Sequence, residues 1–281
     1  MQLRFLLHAR HDSWGADLLL RLGAWARESA SRQLENGWIG AFLSDPGCKR
    51  SSNEDSCAFV IPSDPELLRS KGILGIVADG MGGHAAGEVA SAMAVDIVRR
   101  AYFDSAASPR SALLHAFERA DHEIFQAGQQ EKLHGLGTTC TALAIVDRQV
   151  VWAHIGDSRL YRLRRGGLLQ LTEDDSEVGT LIRRGWITAR QARRHPQRNI
   201  LCRALGVDAT VQPACSPAST TARWGDRYLL CSDGLHGVVE DRELRGILGS
   251  YEPDAACAHL IQMARAKGGP DNITGLIVGT L

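Results

Sequence analysis

Acidic side chains recur in this sequence at the points where an apolar stretch gives way to a loop. They are Asp79 in "GIVAD", Asp157 in "HIGD", Asp233 in "YLLCSD", Asp271 in "GGPDNIT", and Glu54 with Asp55 in "SSNEDS". A single aspartate in such a position is an ordinary turn residue. Their recurrence predicts instead that several carboxylates share one small volume, provided that the ends of the apolar stretches converge.

Carboxylates gathered in this way repel one another and raise each other's pKa, which is costly unless cations neutralise them. A set made only of oxygen donors suits Mg²⁺ or Mn²⁺ better than zinc or copper. Asp79 is expected to bridge two such ions. The glycine-rich stretch that follows would let the backbone approach closely enough for the carbonyl of Gly80 to bind metal as well.

The composition excludes several classes of function. The 281 residues contain 32 Lys and Arg and 32 Asp and Glu, so no global positive field exists to gather nucleic acid. Seven cysteines, odd in number and never in a CxxC pair, argue against a zinc ribbon or a disulfide framework and predict small buried thiols. No apolar stretch reaches the length of a membrane helix, and no clear signal-cleavage site follows the start, so we expect a soluble, cytoplasmic protein.

The elements that must position the acids follow from the apolar pattern. Residues 1–36 differ in character from the rest, and Leu18, Leu22 and Trp25 at helical spacing predict an amphipathic helix there. We therefore expect an N-terminal extension over 1–36, helical in part, and one catalytic domain over 37–281. The role of the extension stays open between capping the domain and binding a partner.

After residue 37 the sequence shows short apolar segments bounded by Gly, Pro, Asp or Ser, which are typical of strands. A hairpin turn is predicted at Gly166-Gly167. Helices are predicted over 88–103, after Pro109, and over about 177–194 and 253–267. The first of these places Val89, Met93 and Ile97 on one stripe, and the second does so for Leu113, Phe117 and Ile124. Runs of strands with helices in pairs favour an α+β fold of antiparallel sheets with helices packed outside.

Seven motifs, in order along the chain, make it similar to the metal-dependent serine/threonine protein phosphatases of type 2C, especially their bacterial branch. The motifs are "SDPGCKRSSNEDS", "VADGMGGHAAGEVAS", "GLGTTCTALAI", "HIGDSRLYRLRRG", "HPQRNILCRALG", "YLLCSDGL" and "GGPDNITGLIV". They cover about Trp38 to Leu281. The resemblance implies a four-layer αββα sandwich of two antiparallel sheets flanked by helix pairs, with a metal site in a cleft at one end of the sheets.

The resemblance also implies a role for each matching residue. Asp79 is similar to the bridging ligand, and Gly80 is similar to the carbonyl ligand beside it. Asp233 and Asp271 are similar to further direct ligands of one ion, and Glu54 and Asp55 are similar to residues that hold the second ion partly through water. Arg50 is similar to the arginine that binds the substrate phosphate, and Asp157 is similar to a carboxylate that is associated with a third ion in bacterial relatives.

The implied reaction is hydrolysis of phosphoserine and phosphothreonine in proteins, opposing bacterial serine/threonine kinases. In such two-metal catalysis, a pair of Mn²⁺ or Mg²⁺ ions acidifies a bridging water for attack on phosphorus. Arg50 would make a forked contact to the phosphate and take up charge that grows in the transition state. No covalent phospho-enzyme is needed, so the cysteines are expected to be bystanders, and we expect a monomer.

The chain departs from the family pattern at three places. Gly237 stands where many relatives carry another acid that helps to hold the third ion. Asp174-Asp175-Ser176 replaces the Asp-His-Ser that often begins the flap, the segment beside the cleft. Met81 follows Gly80 where the eukaryotic branch has a histidine proposed to protonate the leaving group. His84 is the alternative candidate for that general acid, although a loop histidine held by backbone contacts is the more ordinary interpretation.

Two further questions stay open on the sequence alone. The basic run from Arg183 to Arg198 is most simply a solvated helix face, but Arg183 and Arg184 could also meet acidic or phosphorylated substrate surfaces. The chain could also be a non-catalytic regulator on the same fold, or a hydrolase of small phosphoesters. Retention of Asp79, Asp233 and Asp271 favours the enzyme over the regulator, and the full motif set disfavours the small-substrate hydrolase.

Overall fold

The computed structural model describes residues 30–33, 37–81, 85–129, 135–208, 210–217 and 220–280. The strands are β1 (Ala30–Gln33), β2 (Trp38–Asp45), β3 (Asp55–Val60), β4 (Ile73–Met81), β5 (Gly137–Thr138), β6 (Cys140–Val146), β7 (Gln149–Ile155), β8 (Arg159–Arg164), β9 (Gly167–Gln170), β10 (Ala214–Cys215), β11 (Arg227–Cys231) and β12 (Ile273–Thr280). The helices are α1 (Pro65–Lys71), α2 (Ala85–Asp104), α3 (Pro109–Gly128), α4 (Glu177–Arg183), α5 (Ala189–Ala192), α6 (Asp233–His236), α7 (Asp241–Ser250) and α8 (Pro253–Ala266).

The strands form two sheets in which neighbouring strands run antiparallel. The first sheet has the order β1-β2-β12-β11-β8-β9, and the second has the order β10-β7-β6-β4-β3. The short strand β5 pairs with the end of β4, through Gly80 opposite Thr138. The prediction of antiparallel sheets is confirmed.

Three apolar layers hold the sheets and helices together. The layer between the two sheets contains Trp38, Val77, Leu143, Trp152, Tyr228 and Leu276. The layer between the second sheet and the helix pair α2–α3 contains Ile76, Ala90, Ala94, Leu113 and Phe117. The layer between the first sheet and α7–α8 contains Leu229, Leu244, Ile247, Leu260 and Ile277. Two sheets with helices on each outer face make the predicted four-layer αββα sandwich.

The first helix pair forms largely as its sequence dictates. Ser108 caps α3 by accepting a hydrogen bond from the amide of Ser111, and Pro109 occupies the first turn, where its missing N–H costs nothing. In α2 the predicted stripe faces the core. Ile97 is buried, and Val89 and Met93 are half-buried and pack against the core beside the fully buried Ala90 and Ala94.

Three details differ from the predictions. The helix expected over 177–194 is broken into α4 and α5, because Gly185 adopts a φ of 71° and Thr188 caps a new helix. The short helix α7, not that segment, pairs with α8 over the first sheet. The hairpin turn lies at Arg165-Gly166, where φ is 49° and 75°, so that Arg164 pairs with Gly167.

The N-terminal extension is described only at β1, which pairs with β2 at the edge of the first sheet. The predicted helix around Leu18 to Trp25 lies outside the described residues, and the division of the chain at residue 36 stays a prediction. Within the described ranges, no helix has both the length and the apolar character needed to cross a membrane.

Candidate metal centre

Four aspartates from both sheets meet at one end of the sandwich. Asp55 begins β3 and is the register partner of Asp79 in β4. In the other sheet Asp233 directly follows β11 at the start of α6, and Asp271 lies just before β12. The sheets are joined there because the Ser232 hydroxyl donates to the Asp55 carboxylate over 2.7 Å. The predicted convergence of strand ends is therefore present.

Asp55 carries a buried oxygen without a protein partner. Its Oδ2 accepts the hydrogen bond from Ser232, whereas among the described residues its Oδ1 has no hydrogen-bond donor. Burial, together with the nearby charges of Asp233 and Asp271, raises the pKa of Asp55 to about 7, although hydrogen bonds from Thr274 and Ser232 oppose the shift. An unpaired buried carboxylate oxygen fits a cation or a cation-bound water as its missing partner.

Asp79 is fixed through its backbone, which leaves its carboxyl free for chemistry. Its amide donates to the Thr139 hydroxyl over 3.0 Å, and its carbonyl accepts from the Thr139 amide and the Thr138 hydroxyl, each over 2.9 Å. Burial raises the pKa of Asp79 well above its ordinary value, and the charges of Asp55 and Asp233 raise it further.

Asp233 lies close to Asp79, and each carboxyl affects the ionisation of the other. Burial and the charge of Asp271 raise the pKa of Asp233 to about 6, and the neighbouring carboxyl of Asp79 partly offsets this. The ionised forms of these acids are therefore costly unless a cation neutralises them.

Asp271 is neutralised in a different way. Its Oδ2 forms an ion pair with Nη2 of Arg50 over 2.7 Å, and its Oδ1 accepts from the amide of Asn272 over 2.9 Å. The hydrogen bond with Asp271 raises the pKa of Arg50, and the charges of Glu54 and Asp233 add to this effect. The Arg50 side chain is about half exposed, at 52%, so it borders the acids from the solvent side.

Glycines bring Glu54 against the end of β4. The Gly80 amide donates to the Glu54 carbonyl over 3.1 Å, and a Cβ at Gly80 would lie 2.0 Å from the carbonyl oxygen of Gly87. A Cβ at Gly87 would lie 2.3 Å from the Glu54 carboxylate. Larger side chains at these two positions would therefore push apart the segment that precedes β3, the end of β4 and the first turn of α2.

Asp157 lies beside this group and is 8% exposed. Burial raises its pKa well above the ordinary value, the charges of Asp233 and Asp174 add to this, and Arg159 opposes it. The carbonyl of Asp157 accepts a hydrogen bond from Nε2 of His236 over 2.9 Å, if that nitrogen carries the proton. Gly237 ends α6 and is exposed, so it contributes no carboxylate.

The histidines divide between structural positions and one that is not described. His154 is buried between the Thr141 hydroxyl, at 2.9 Å from Nδ1, and the Glu173 carbonyl, at 3.1 Å from Nε2. Burial lowers its pKa, as it lowers that of His236 to about 3. Both are packing residues. His84 lies outside the described residues, so its role as general acid stays a prediction.

Asp174 and Asp175, where the chain departs from the family pattern at the start of the flap, form contacts that hold the structure together. Burial opposes the charge of Asp174, but the fork from Arg159, at 2.8 Å and 2.6 Å, holds the pKa of Asp174 below its ordinary value. Asp175 accepts from the Gly156 amide over 3.2 Å and pairs with Arg203 over 2.5 Å. Both aspartates therefore anchor the flap to the body of the domain.

The cysteines show no sign of a nucleophile. All seven are free thiols. Cys57, Cys140, Cys231 and Cys257 are buried, as predicted, but Cys48 and Cys202 are exposed and Cys215 is intermediate. Burial raises the pKa of Cys257 to about 12 and shifts those of Cys140 and Cys231 in the same direction, which disfavours the reactive thiolate.

Asn272 is a site residue that the sequence analysis missed. Its Oδ1 accepts from the Glu54 amide over 2.8 Å, and its Nδ2 donates to the carbonyls of Pro46 and Ser52 over 3.0 Å and 2.8 Å. It thereby fastens the loop that carries Arg50 to the start of β12. The only signal in the sequence was an amide directly after Asp271.

Among the described residues, no group of three His, Cys, Asp or Glu donors is placed to hold one metal ion. Asp271 pairs with Arg50, and Asp79 lies near Asp233. The oxygen-only donor set, the orphan oxygen of Asp55 and the mutual repulsion nonetheless fit hard divalent cations. Such cations would supply positive charge to this group of acids.

Comparisons with known proteins identify the family of the chain. The family model for Protein phosphatase 2C matches residues 49–266. The chain is 40% identical over 239 residues to the serine/threonine protein phosphatase PstP of Mycobacterium tuberculosis, which covers 84% of this chain and 44% of that protein. It is 37% identical over 243 residues to the protein phosphatase PhpP of Streptococcus pneumoniae, which covers 85% of this chain and 96% of that protein.

A solved structure shows the same fold. The crystal structure of the catalytic domain of PstP in complex with two manganese ions is 35% identical and superposes with a TM-score of 0.73, covering 87% of this chain and 98% of that one. This chain thus spans less than half of full-length PstP but nearly all of its catalytic domain and of PhpP.

Proposed function

The chain belongs to the protein phosphatase 2C family, and we propose that it hydrolyses phosphoserine and phosphothreonine in proteins with the help of two divalent cations, Mn²⁺ or Mg²⁺. The observation that carries the proposal is the group of Asp55, Asp79, Asp233 and Asp271, whose members come from both sheets. The first three have raised pKa values, which marks them as acids that need a counter-charge.

We assign the ions to these acids. Asp79, with the Gly80 carbonyl beside it, would hold both ions, Asp233 and Asp271 would hold one of them, and Glu54 and Asp55 would hold the other partly through water. When bound, the ions supply an acidified water as nucleophile and stabilise charge on the phosphoryl oxygens. The orphan oxygen of Asp55 and the close approach of Gly80 to Glu54 support this assignment.

Arg50 is the residue that binds the substrate phosphate. A guanidinium presents a planar fork that matches two phosphate oxygens, and its charge is retained at every working pH. Arg50 already occupies the solvent side of the acids through its ion pair with Asp271. Once released from Asp271, the guanidinium would be free to bind a phosphate beside the acids.

Other assignments complete the proposal. Asp157 is the candidate ligand of a third ion, although position 237 is a glycine and supplies no second acid for that ion. His84 is the candidate proton donor to the leaving seryl or threonyl oxygen. We place the protein in the cytoplasm as a monomer that acts on the targets of a serine/threonine kinase. The phosphatase relatives support this setting.

The test is phosphate release from a phosphothreonine peptide and from 4-nitrophenyl phosphate, with Mn²⁺, with Mg²⁺ and with a chelator. We expect turnover of both substrates that depends on the cation. Turnover of the small ester without turnover of any phosphopeptide would favour a small-substrate hydrolase. No turnover with any divalent cation would favour a non-catalytic regulator instead.

A further inference from the structure

The flap carries a strong local positive charge within a neutral protein. The flap begins with the acidic residues Asp174, Asp175 and Glu177, but the residues that follow, 178–207, contain seven arginines and no aspartate or glutamate, whereas the whole chain has 32 basic and 32 acidic residues. The rest of the chain therefore has seven more acidic than basic side chains. A solvated surface usually mixes both signs of charge, so this separation calls for a partner of opposite charge.

Three of the arginines fasten the segment beside the acid group. Arg183 donates to the Asp174 carbonyl over 2.8 Å, and Arg203 pairs with Asp175. Arg193 donates to the carbonyls of His236 and Gly237, over 2.8 Å and 3.1 Å. Both of those carbonyls lie at the end of α6, whose first residue is Asp233. The cationic segment thus lies next to the proposed reaction site.

The remaining arginines face solvent. Arg184, Arg190, Arg194 and Arg198 are exposed, and none of these four takes part in an ion pair with the described residues. The guanidinium of Arg184 lies 5.1 Å from the ring centre of Trp186, which is itself 65% exposed. We call these four arginines together with Trp186 the flap surface.

We propose that the flap surface binds acidic residues that flank the phosphorylated residue in protein substrates, an inference that rests on the proposed phosphatase activity. Exposed cations bordering a site attract anionic segments and orient their approach. Trp186 adds a flat apolar contact of the kind that anchors protein interfaces. The acidic remainder of the chain repels the same segment elsewhere, which favours docking at the flap.

This inference revises the expectation for Arg183, because Arg183 is engaged with the domain through Asp174 and Thr180. Of Arg183 and Arg184, only Arg184 remains available to contact a substrate. A flat membrane or a nucleic acid would also be attracted by arginines. The contacts of Arg193 with α6 favour the phosphoprotein, because they fasten the segment that carries the flap surface to the helix that begins with Asp233.

The experiment compares two phosphothreonine peptides of equal length, one with Asp and Glu at the flanking positions and one with Ser and Gln. We expect kcat/KM for the acidic peptide to exceed that for the neutral one by about tenfold at low salt, as the sum of several weak, exposed charge pairs. The preference should vanish in about 0.5 M NaCl, where screening is strong. Turnover of 4-nitrophenyl phosphate serves as the reference rate for each variant.

The decisive variant is R190Q/R194Q/R198Q, compared with the matched control R69Q/R242Q/R245Q, which removes the same charge from exposed positions on α1 and α7. The flap variant should lose most of the preference through a higher KM for the acidic peptide. W186A should weaken the binding of both peptides. The control should retain the wild-type preference.

Several outcomes would overturn the inference. An unchanged preference in the flap variant would do so, and so would an equal loss in the control variant. A flap variant that keeps the peptide preference but loses binding to vesicles of anionic phospholipid would assign the surface to membranes. Absence of turnover with every substrate would instead remove the proposed phosphatase function itself.

Discussion

Arg50 and Asp271 form an ion pair of 2.7 Å across 221 positions of sequence. One is the residue proposed to bind the substrate phosphate, and the other is a proposed metal ligand. The pair therefore couples the two events, because a cation at Asp271 competes with the guanidinium for the same carboxylate oxygen. Cation binding should release Arg50 for phosphate.

Arg50→Ala should raise KM for 4-nitrophenyl phosphate by about tenfold or more, as expected for loss of a charge-assisted fork, with a smaller effect on kcat. The affinity for Mn²⁺ should stay the same or increase, since Asp271 loses its competitor. Steady-state kinetics and calorimetric titration measure the two effects. Arg69→Ala, an exposed position on α1, is the control, and weaker Mn²⁺ binding in R50A would contradict the coupling.

Asp79→Asn should abolish cation binding at the bridging position and lower kcat by about a thousandfold or more, since bound ions contribute several kcal/mol to catalysis. The same change should raise the melting temperature of the metal-free protein at neutral pH, because it removes one of the mutually repelling acids. Calorimetry and thermal denaturation in chelator test this. The control Asp104→Asn, at an exposed helix end, should change neither cation binding and kcat nor the melting temperature. Wild-type activity in D79N would refute the assignment of Asp79 to the site.

The pH dependence of stability follows from the raised carboxyl pKa values. Asp55 has a pKa of about 7 in the folded state against an ordinary 3.8. Between these values the folded protein holds a proton that the unfolded chain has released, so stability falls as pH rises from about 4 to about 7. His154 and His236 act in the opposite direction below about pH 6.5, since burial lowers their pKa values.

A difference measurement removes the histidine contribution. In chelator, the free energy of unfolding of Asp55→Asn minus that of the wild type should increase from about pH 4 to about pH 7 and then level off. Urea denaturation across this range gives both curves. Added Mn²⁺ should restore wild-type stability at pH 7 and above by binding the ionised acids. A difference that shrinks as pH rises would show that Asp55 is not held protonated.

The sequence predicts those parts of the site that local patterns determine. Asp79, Asp157 and Asp233 each follow an apolar run in the sequence, so their place at or near the end of a strand could be derived without a structure. Long-range contacts could not be derived in this way. Ser232 joins Asp55 across 177 positions and Asn272 joins Glu54 across 218, and such hydrogen bonds leave no periodic signal. For the same reason, the packing of α7 over the first sheet escaped prediction, as its apolar residues are few.

Asn272 should prove to be a positioning residue for Arg50. Asn272→Ala would remove three hydrogen bonds, to the Glu54 amide and to the carbonyls of Pro46 and Ser52, and the loss of each costs about 1 kcal/mol. The melting temperature should therefore fall.

A loss of stability alone would fit any structural residue, so the informative readout is the split between KM and kcat. Because Asn272 holds the loop that carries Arg50, N272A should raise KM for 4-nitrophenyl phosphate and weaken inhibition by inorganic phosphate more than it lowers kcat at saturating Mn²⁺. Asn199→Ala, at an exposed flap position, is the matched control. If N272A lowers kcat alone, Asn272 acts on the metal ligands and not on Arg50, because a displaced Arg50 loop must weaken phosphate binding first.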